Sequence, residues 1–267
     1  MLVAAAFISG LIIGSFLNVC IFRVPRGESI VRPASRCPQC KSPIPAWRNI
    51  PVLSYLLQAG KCAECGRPIG WFYPVVELMT GAAFAGAYIY YGPTPAFVYN
   101  AVLSSLLIAL VFIDLFDRIL PDVMTLGGMA FGFFFSPFQV PGFFTLELTA
   151  VGWMDVYFNS LIGIATGGGF LWLVAFFYLK VRKIEGMGFG DVKLMGMIGA
   201  FMGWKFALLT IFFGSLVGAV LGSAYIYTLG KGKAYELPFG TFLGLGAIAV
   251  NLWGIQLLSW YLSRVLP

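Results

Sequence analysis

Long runs of apolar residues constrain this chain more than any other feature of its sequence. A helix that crosses a bilayer needs about 20 consecutive, mostly apolar residues. A shorter stretch at residues 194–204, with charged residues at both ends, can cross where the bilayer thins locally. Seven longer runs cover residues 1–22, 75–91, 96–113, 123–144, 156–179, 206–229 and 241–262. The sequence therefore predicts an all-α, polytopic membrane helix bundle with about eight transmembrane helices.

Composition and charge agree with a lipid environment. Of the 267 residues, 60% are hydrophobic and 10% are charged, which is more apolar surface than a soluble domain could cover. The first charge, Arg23, follows the first apolar run, so we expect no cleaved signal peptide and a retained first helix. The net charge of +6 reflects membrane topology, and we expect no nucleic-acid partner.

The distribution of basic residues predicts the orientation in the membrane. If the amino terminus lies outside the cytoplasm, fifteen of the seventeen basic residues fall in cytoplasmic loops. Only Lys205 and Arg264 would then face the other side. Cytoplasmic loops normally carry the excess of Lys and Arg, so this orientation is the expected one.

The one long hydrophilic insertion divides the chain into three predicted parts. These are the first transmembrane helix at residues 1–22, a small cytoplasmic domain at residues 23–74 and a bundle at residues 75–267. About fifty residues cannot build a large core, so such a domain usually needs a metal or disulfides. We find no fixed-period repeat, and no pair of matching halves of the kind that inverted-repeat transporters show.

Four cysteines in this insertion have the spacing of a zinc site. Cys37 and Cys40 form one C-x2-C pair, and Cys62 and Cys65 form a second pair after a 21-residue spacer. Two such pairs can bind one tetrahedral ion, and four filled positions predict a structural Zn²⁺. Two disulfides or free thiols are the alternatives, although stable disulfides are rare in the predicted cytoplasmic compartment. Cys20, in the first helix, is expected to be a small apolar filler.

Two aspartates beside the apolar runs predict an acid–base pair. Asp114 ends the third run, and Asp191 follows the alternating glycines Gly186, Gly188 and Gly190. Charges at membrane depth are costly and usually functional. Two carboxyl groups that share one proton can hydrolyse a peptide bond, one acting as general base on water and the other as acid. We therefore predict that Asp114 and Asp191 are catalytic and that Gly188 and Gly190 form the active-site loop.

Simpler explanations exist for each acidic residue. Asp114 can pair with Arg118 one helical turn later, and Asp191 can cap a helix that begins near Val192. Asp117 and Asp122 fit solvated positions at the membrane interface, and Asp122 after Pro121 also fits a helix start. Glu77 can be a buried polar anchor within the second helix, and its role stays open. The glycine run lacks both the G-x-G-x-x-G spacing and a preceding strand, so a dinucleotide site is not expected.

Several motifs, in a fixed order along the chain, resemble one known family. They are Gly14-Ser15-Phe16-Leu17-Asn18-Val19 with Arg23 and Pro25, the paired cysteines, Tyr73-Pro74-Val75-Val76-Glu77-Leu78, Ile113-Asp114, Leu120-Pro121-Asp122, Gly186-Met187-Gly188-Phe189-Gly190-Asp191-Val192-Lys193-Leu194 and Leu237-Pro238-Phe239-Gly240. Together they make the chain similar to the type IV prepilin peptidases, which are bifunctional leader peptidases and N-methyltransferases of the bacterial inner membrane. The match extends through most of the chain.

This resemblance implies an aspartyl protease of the GxGD type in which Asp191 and Asp114 are the catalytic residues. Such enzymes remove the basic leader from prepilins, or from pseudopilins of type II secretion, on the cytoplasmic side. They then methylate the new amino terminus with S-adenosylmethionine, and the cysteine loop is associated with that second activity. No feature of the sequence itself marks the methyl-donor site, so Gly81 and the cysteine domain are only places to look.

The chain departs from the family pattern at two places. Thr241 stands where many members have a second proline, and the outer loop at residues 140–155 is longer than expected. Neither departure touches the aspartates. A proton-coupled transporter with a metal-binding docking domain is the alternative function, because intramembrane carboxylates also relay protons. The sequence leaves the oligomeric state and the particular pilin open.

Overall fold

A computed structural model of the chain describes residues 1–139, 152–183, 187–229 and 237–265. Within these ranges the regular structure is helical, with isolated two-residue bridges in the cysteine region. The chain forms two compact units, Met1–Ala109 and Leu110–Pro267. The three-part division predicted from the sequence remains a prediction.

The first unit is built around a close pair of helices. α1 covers Leu2–Arg23, the short α2 covers Leu53–Leu57, α3 covers Phe72–Tyr91, and α4, Pro95–Asp117, begins in this unit. Gly10 and Gly14 lie one turn apart on α1 and let its backbone approach α3, because a Cβ on either glycine would come within 2.7 Å of α3 backbone atoms. Small residues at this spacing are a common device for packing helices in membranes.

The same interface explains Gly81 of α3. A Cβ at Gly81 would lie 3.0 Å from the side chains of Phe7 and Leu11 on α1. This glycine therefore has a packing role between the two helices.

The second unit contains the end of α4 and four further helices. α5 covers Asp122–Phe134, α6 covers Trp153–Arg182, α7 covers Phe189–Leu229, and α8 covers Phe239–Val265. α5 begins at Asp122 after an extended Pro121, which confirms the helix start expected there.

α7 doubles back on itself at Gly203. This residue has φ +74° and ψ 174°, a conformation outside the helical region that glycine adopts at little cost. A Cβ on Gly167 of α6 would touch both Met195 before the break and Ala207 after it. A straight helix would separate those two residues by about 18 Å. The segments on either side of Gly203 therefore lie next to each other.

Six helices of the described ranges are long and apolar enough to cross a membrane, which makes this a multi-pass membrane protein. The predicted number of about eight differs for two reasons. The apolar run at residues 123–144 yields a helix of only 13 residues, because α5 ends at Phe134 ahead of a 3₁₀ turn at Ser136–Phe138; residues 140–144 lie outside the described part. The predicted short helix at residues 194–204 is the first part of α7 and is continuous in sequence with the next span.

We expect Gly163→Ala to destabilise the second unit. A Cβ at Gly163 would overlap the carbonyl oxygen of Gly199, and backbone cannot move aside as a flexible side chain can. Overpacking of this kind costs about 1–3 kcal/mol or more, so the midpoint of thermal unfolding in detergent should fall. Gly169→Ala, on the same helix with open space around its Cβ position, is the matched control. Equal midpoints for the two variants would contradict this packing.

Candidate active site and metal centre

Asp114 lies near the end of α4 and is only 5% exposed. Its Oδ2 accepts two hydrogen bonds from Thr241, one from the backbone N–H at 2.6 Å and one from the hydroxyl at 2.8 Å. The hydroxyl of Thr241 also lies 3.4 Å from the carbonyl oxygen of Val111. The carboxylate thus joins the end of α4 to the first turn of α8.

Asp191 lies in the first turn of α7 and is 8% exposed. The helix begins at Phe189, so the expected start near Val192, with Asp191 as its N-cap, is wrong. The backbone N–H of Asp191 bonds to the carbonyl of Gly188, which extends the first turn toward the glycines. The Asp191 side chain is buried within the second unit.

The two aspartates meet at Gly240. A Cβ on Gly240 would lie 3.0 Å from Oδ1 of Asp191 and 3.2 Å from Cγ of Asp114. Both carboxyl groups therefore lie close to one point, on the side where Gly240 has no side chain. Residues that are distant in sequence, at the end of α4 and the start of α7, therefore bring their carboxyl groups together.

Leu120 and the glycines shape the space around this pair. Cδ1 of Leu120 would lie 2.9 Å from a Cβ on Gly240, and its Cβ would lie 3.1 Å from a Cβ on Gly190. Gly188 is exposed just before α7, where a Cβ would come within 3.9 Å of Oδ2 of Asp191. A larger residue at Gly240 would crowd the carboxyl groups, and a larger residue at Gly190 would crowd Leu120. Gly186 lies outside the described residues.

A salt bridge beside the pair was not predicted. Nζ of Lys193 lies 2.6 Å from Oδ1 of Asp122, and the same nitrogen lies 5.2 Å from the centroid of the Phe189 ring. The bond joins the first residue of α5 to the first turn of α7. Both residues lie next to motif residues, but they are 71 positions apart and no local pattern indicates that they pair.

The four loop cysteines form one cluster in the first unit. Their sulfur atoms all lie within 4.8 Å of one another, and Cys37 and Cys65 are 4.0 Å apart. Four ligands at a Zn–S distance of 2.3 Å around a tetrahedral ion would be about 3.8 Å apart. The cluster is therefore close to the size that a four-thiolate site needs.

Two copies of one short motif build this cluster. Arg36-Cys37-Pro38-Gln39-Cys40-Lys41-Ser42-Pro43-Ile44 and Lys61-Cys62-Ala63-Glu64-Cys65-Gly66-Arg67-Pro68-Ile69 align position by position. Both copies form the same backbone hydrogen bonds, such as Lys41 N–H to Cys37 O at 2.9 Å and Gly66 N–H to Cys62 O at 2.8 Å. These two segments are a short local repeat in a sequence without a fixed-period repeat, and comparison of the two C-x2-C segments finds it.

Polar contacts support the cysteine cluster. The hydroxyl of Ser42, 3.2 Å from the Cys40 sulfur, is the largest cause of a lowered Cys40 pKa of about 6. A thiolate at neutral pH is the form that binds metal. Arg67 donates to Oε1 of Gln39 at 2.6 Å and so links the two copies of the motif.

Two family models match the chain. The bacterial peptidase A24 N-terminal domain matches residues 8–91, and the type IV leader peptidase family matches residues 101–223. No solved structure matches the chain.

Curated relatives match over most of the chain. A prepilin leader peptidase/N-methyltransferase of Bacillus subtilis is 34% identical over 97% of this chain and 98% of the relative. One of Legionella pneumophila is 32% identical over 95% of this chain and 92% of the relative. One of Myxococcus xanthus is 40% identical over 84% of this chain, which spans 63% of that longer relative.

The membrane spans and the buried aspartate pair define a class of polytopic membrane protein with two carboxyl groups close together at the ends of its helices. Within that class, the chain belongs to the type IV leader peptidase family.

Proposed function

We propose that this chain hydrolyses a peptide bond of membrane-inserted substrates with Asp114 and Asp191. The observation that carries the proposal is the approach of both carboxyl groups to Gly240, at 3.2 and 3.0 Å from its Cβ position. One carboxylate takes a proton from water while the other gives a proton to the scissile carbonyl oxygen.

The surroundings suggest how the two roles divide. Asp114 accepts an N–H and an O–H from Thr241, and such donors stabilise a negatively charged carboxylate. We therefore assign Asp114 as the base that activates water and Asp191 as the acid that carries the shared proton. The pair should titrate as one unit, because each charge affects its neighbour.

The substrate class follows from the family and the predicted topology. The relatives are named as prepilin leader peptidases and N-methyltransferases. Prepilins or pseudopilins with a short basic leader are the substrates that we propose, with cleavage on the cytoplasmic side of the bacterial inner membrane. In this orientation the amino terminus lies outside the cytoplasm, as the distribution of basic residues predicts.

The second proposed activity is methylation of the new amino terminus. S-adenosylmethionine is the methyl donor, and it supplies an electrophilic methyl group on a sulfonium sulfur. A large cleft in the first unit, lined by acceptor, basic and aromatic side chains such as Glu77, Arg23 and Phe72, suits a ligand of this mixed charge and aromatic character. The matched families and the relatives described above give no support to the transporter alternative.

The cysteine cluster completes the proposal as a structural zinc site. Cys37, Cys40, Cys62 and Cys65 would fill all four positions of the ion, which leaves no position for a catalytic water. The ion would then hold the two copies of the cysteine motif together.

We expect Asp114→Asn and Asp191→Asn each to lower the rate of leader cleavage at least about a hundredfold, because neither residue alone can provide both proton transfers. Cleavage of a membrane-reconstituted prepilin on a gel measures this. Asp155→Asn, an exposed aspartate at the start of α6, should cleave at the wild-type rate. Full activity in either single variant of the pair would rule out the mechanism.

Thr241 gives a finer test, because it acts through Asp114. Thr241→Val removes the hydroxyl donor and keeps the N–H, so we expect about a tenfold lower kcat with little change in KM. Thr241→Ser restores the hydroxyl and should restore kcat. If Thr241→Val and Thr241→Ser lower kcat equally, the effect comes from packing, and the hydroxyl has no part in positioning Asp114.

Metal analysis tests the cysteine site. We expect about one zinc per purified chain, and Cys62→Ser should reduce that content strongly because a ligand is lost. Cys20→Ser is the control, since Cys20 is buried on α1 outside the cluster. A full zinc content in Cys62→Ser, or disulfides among the four loop cysteines in native membranes, would contradict the assignment.

A further inference from the structure

The first unit contains a cleft of about 880 Å³ that the cleavage mechanism does not use. All of its lining residues belong to α1, α3 and the segment between them, and the four-cysteine loop forms part of its wall. Binding sites for small molecules typically have volumes of about 300–1,000 Å³. The cleft can therefore take a ligand as large as a nucleoside derivative.

Asn18, which lines this cleft, has a buried side-chain oxygen without a partner. Asn18 of α1 is 4% exposed, and its Nδ2 donates to the carbonyl oxygen of Tyr73 at 3.1 Å. This bond fixes the amide, and its Oδ1 accepts no hydrogen bond within the described structure. A buried acceptor without a donor costs about 1–3 kcal/mol, so a ligand that donates a hydrogen bond here would recover that energy.

Glu77 brings a second acceptor to the same cleft. It is 8% exposed, and its carboxylate accepts the N–H of Val52 at 2.7 Å. Val52 has φ +60°, a conformation that is unfavourable for a β-branched residue. Strained backbone persists where the surrounding structure holds it in place, and it clusters at functional sites. In this conformation the Val52 N–H donates to Glu77.

Aromatic rings line the cleft beside these acceptors. Phe22, Phe72 and Tyr73 form a cluster with ring centroids 4.5 to 5.5 Å apart. Ring faces attract cations, and a carboxylate does so more strongly. Two buried acceptors next to aromatic rings therefore favour a ligand with a positively charged or N–H-donating group attached to an apolar portion.

We propose that Asn18 and Glu77 hold an α-amino group in this cleft, and that methyl transfer takes place there. This rests on the methylation in the proposed function. Two partners of that reaction carry an α-amino group: the processed substrate at its new amino terminus, and the methyl donor in its amino-acid portion. Asn18 Oδ1 accepts an N–H of that group, and Glu77 neutralises its charge.

The transfer balances without any further reactant. The lone pair of the substrate's terminal nitrogen forms the new N–C bond, the S–C bond breaks with its electrons remaining on sulfur, and one proton leaves the nitrogen for water or Glu77. The products are an N-methylated chain and a neutral thioether. The reaction is a substitution, so it needs no oxidant or reductant.

Binding to the full-length, metal-loaded protein in nanodiscs tests the site with two probes. The first is S-adenosylhomocysteine, which carries the donor's α-amino group. The second is a short peptide with a free amino terminus. We expect Asn18→Leu and Glu77→Gln to weaken binding of at least one probe about tenfold or more. A zinc content and a midpoint of thermal unfolding equal to those of the wild type are the control that each variant is folded.

Two matched variants sharpen the result. Asn18→Asp keeps an acceptor oxygen and should bind the amine better than Asn18→Leu does. Asn100→Leu removes a comparably buried amide, 3% exposed, that donates to Ala96 on α4 and does not line the cleft, and it should bind both probes as wild type does. Equal weakening in Asn100→Leu would overturn the assignment.

The two probes separate the sources of the amine. Weaker binding of the peptide alone assigns the site to the substrate's terminus, and weaker binding of S-adenosylhomocysteine alone assigns it to the donor. If neither affinity changes, or if an N-acetylated peptide binds as tightly as the free one, the inference is wrong.

Methyl transfer by the wild-type protein is measured in parallel. Its absence would refute the proposed methylation itself, whereas unchanged transfer in Asn18→Leu and Glu77→Gln would refute only the placement in this cleft.

Discussion

The site in the second unit depends on the absence of a side chain at Gly240. The carboxyl groups of Asp114 and Asp191 come from helices that are remote in sequence, and both approach the position that a Cβ would occupy at 3.2 and 3.0 Å. The following residue, Thr241, directs its N–H and hydroxyl to Asp114. One turn of α8 therefore provides both the space for the pair and the donors that orient one of its members.

The aspartates could be found from the sequence because charge beside an apolar run is expensive and needs a reason. Thr241 could not be found in that way. The expectation that the departure at Thr241 leaves the aspartates untouched is wrong, because the N–H and the hydroxyl of Thr241 both donate to Asp114. A proline has no N–H to donate, so the substitution changes the hydrogen bonding of Asp114 directly. That contact joins residues 127 positions apart, and no local pattern predicts it.

The lengths of the apolar runs were enough to predict a membrane helix bundle, but they did not predict where each helix begins and ends. The run at residues 123–144 gave a helix that ends at Phe134, since hydrophobicity continues through positions where the backbone leaves the helix. Gly203 reverses α7 through one backbone conformation that composition cannot reveal among 33 glycines. Likewise, the cysteine spacing predicted the cluster, while the buried Asn18 and the strained Val52 depend on tertiary packing.

The doubled cysteine motif has a consequence for the order of events during synthesis. Each copy brings only two sulfur ligands, and Arg67 of the second copy bonds to Gln39 of the first. Neither half can enclose an ion alone. As the chain leaves the ribosome, the first copy must wait, with its thiols open to oxidation or to capture by other metals, until the second copy emerges. For the zinc site proposed above, maturation of the loop would therefore depend on the redox state and the metal supply of the cell at that stage of translation.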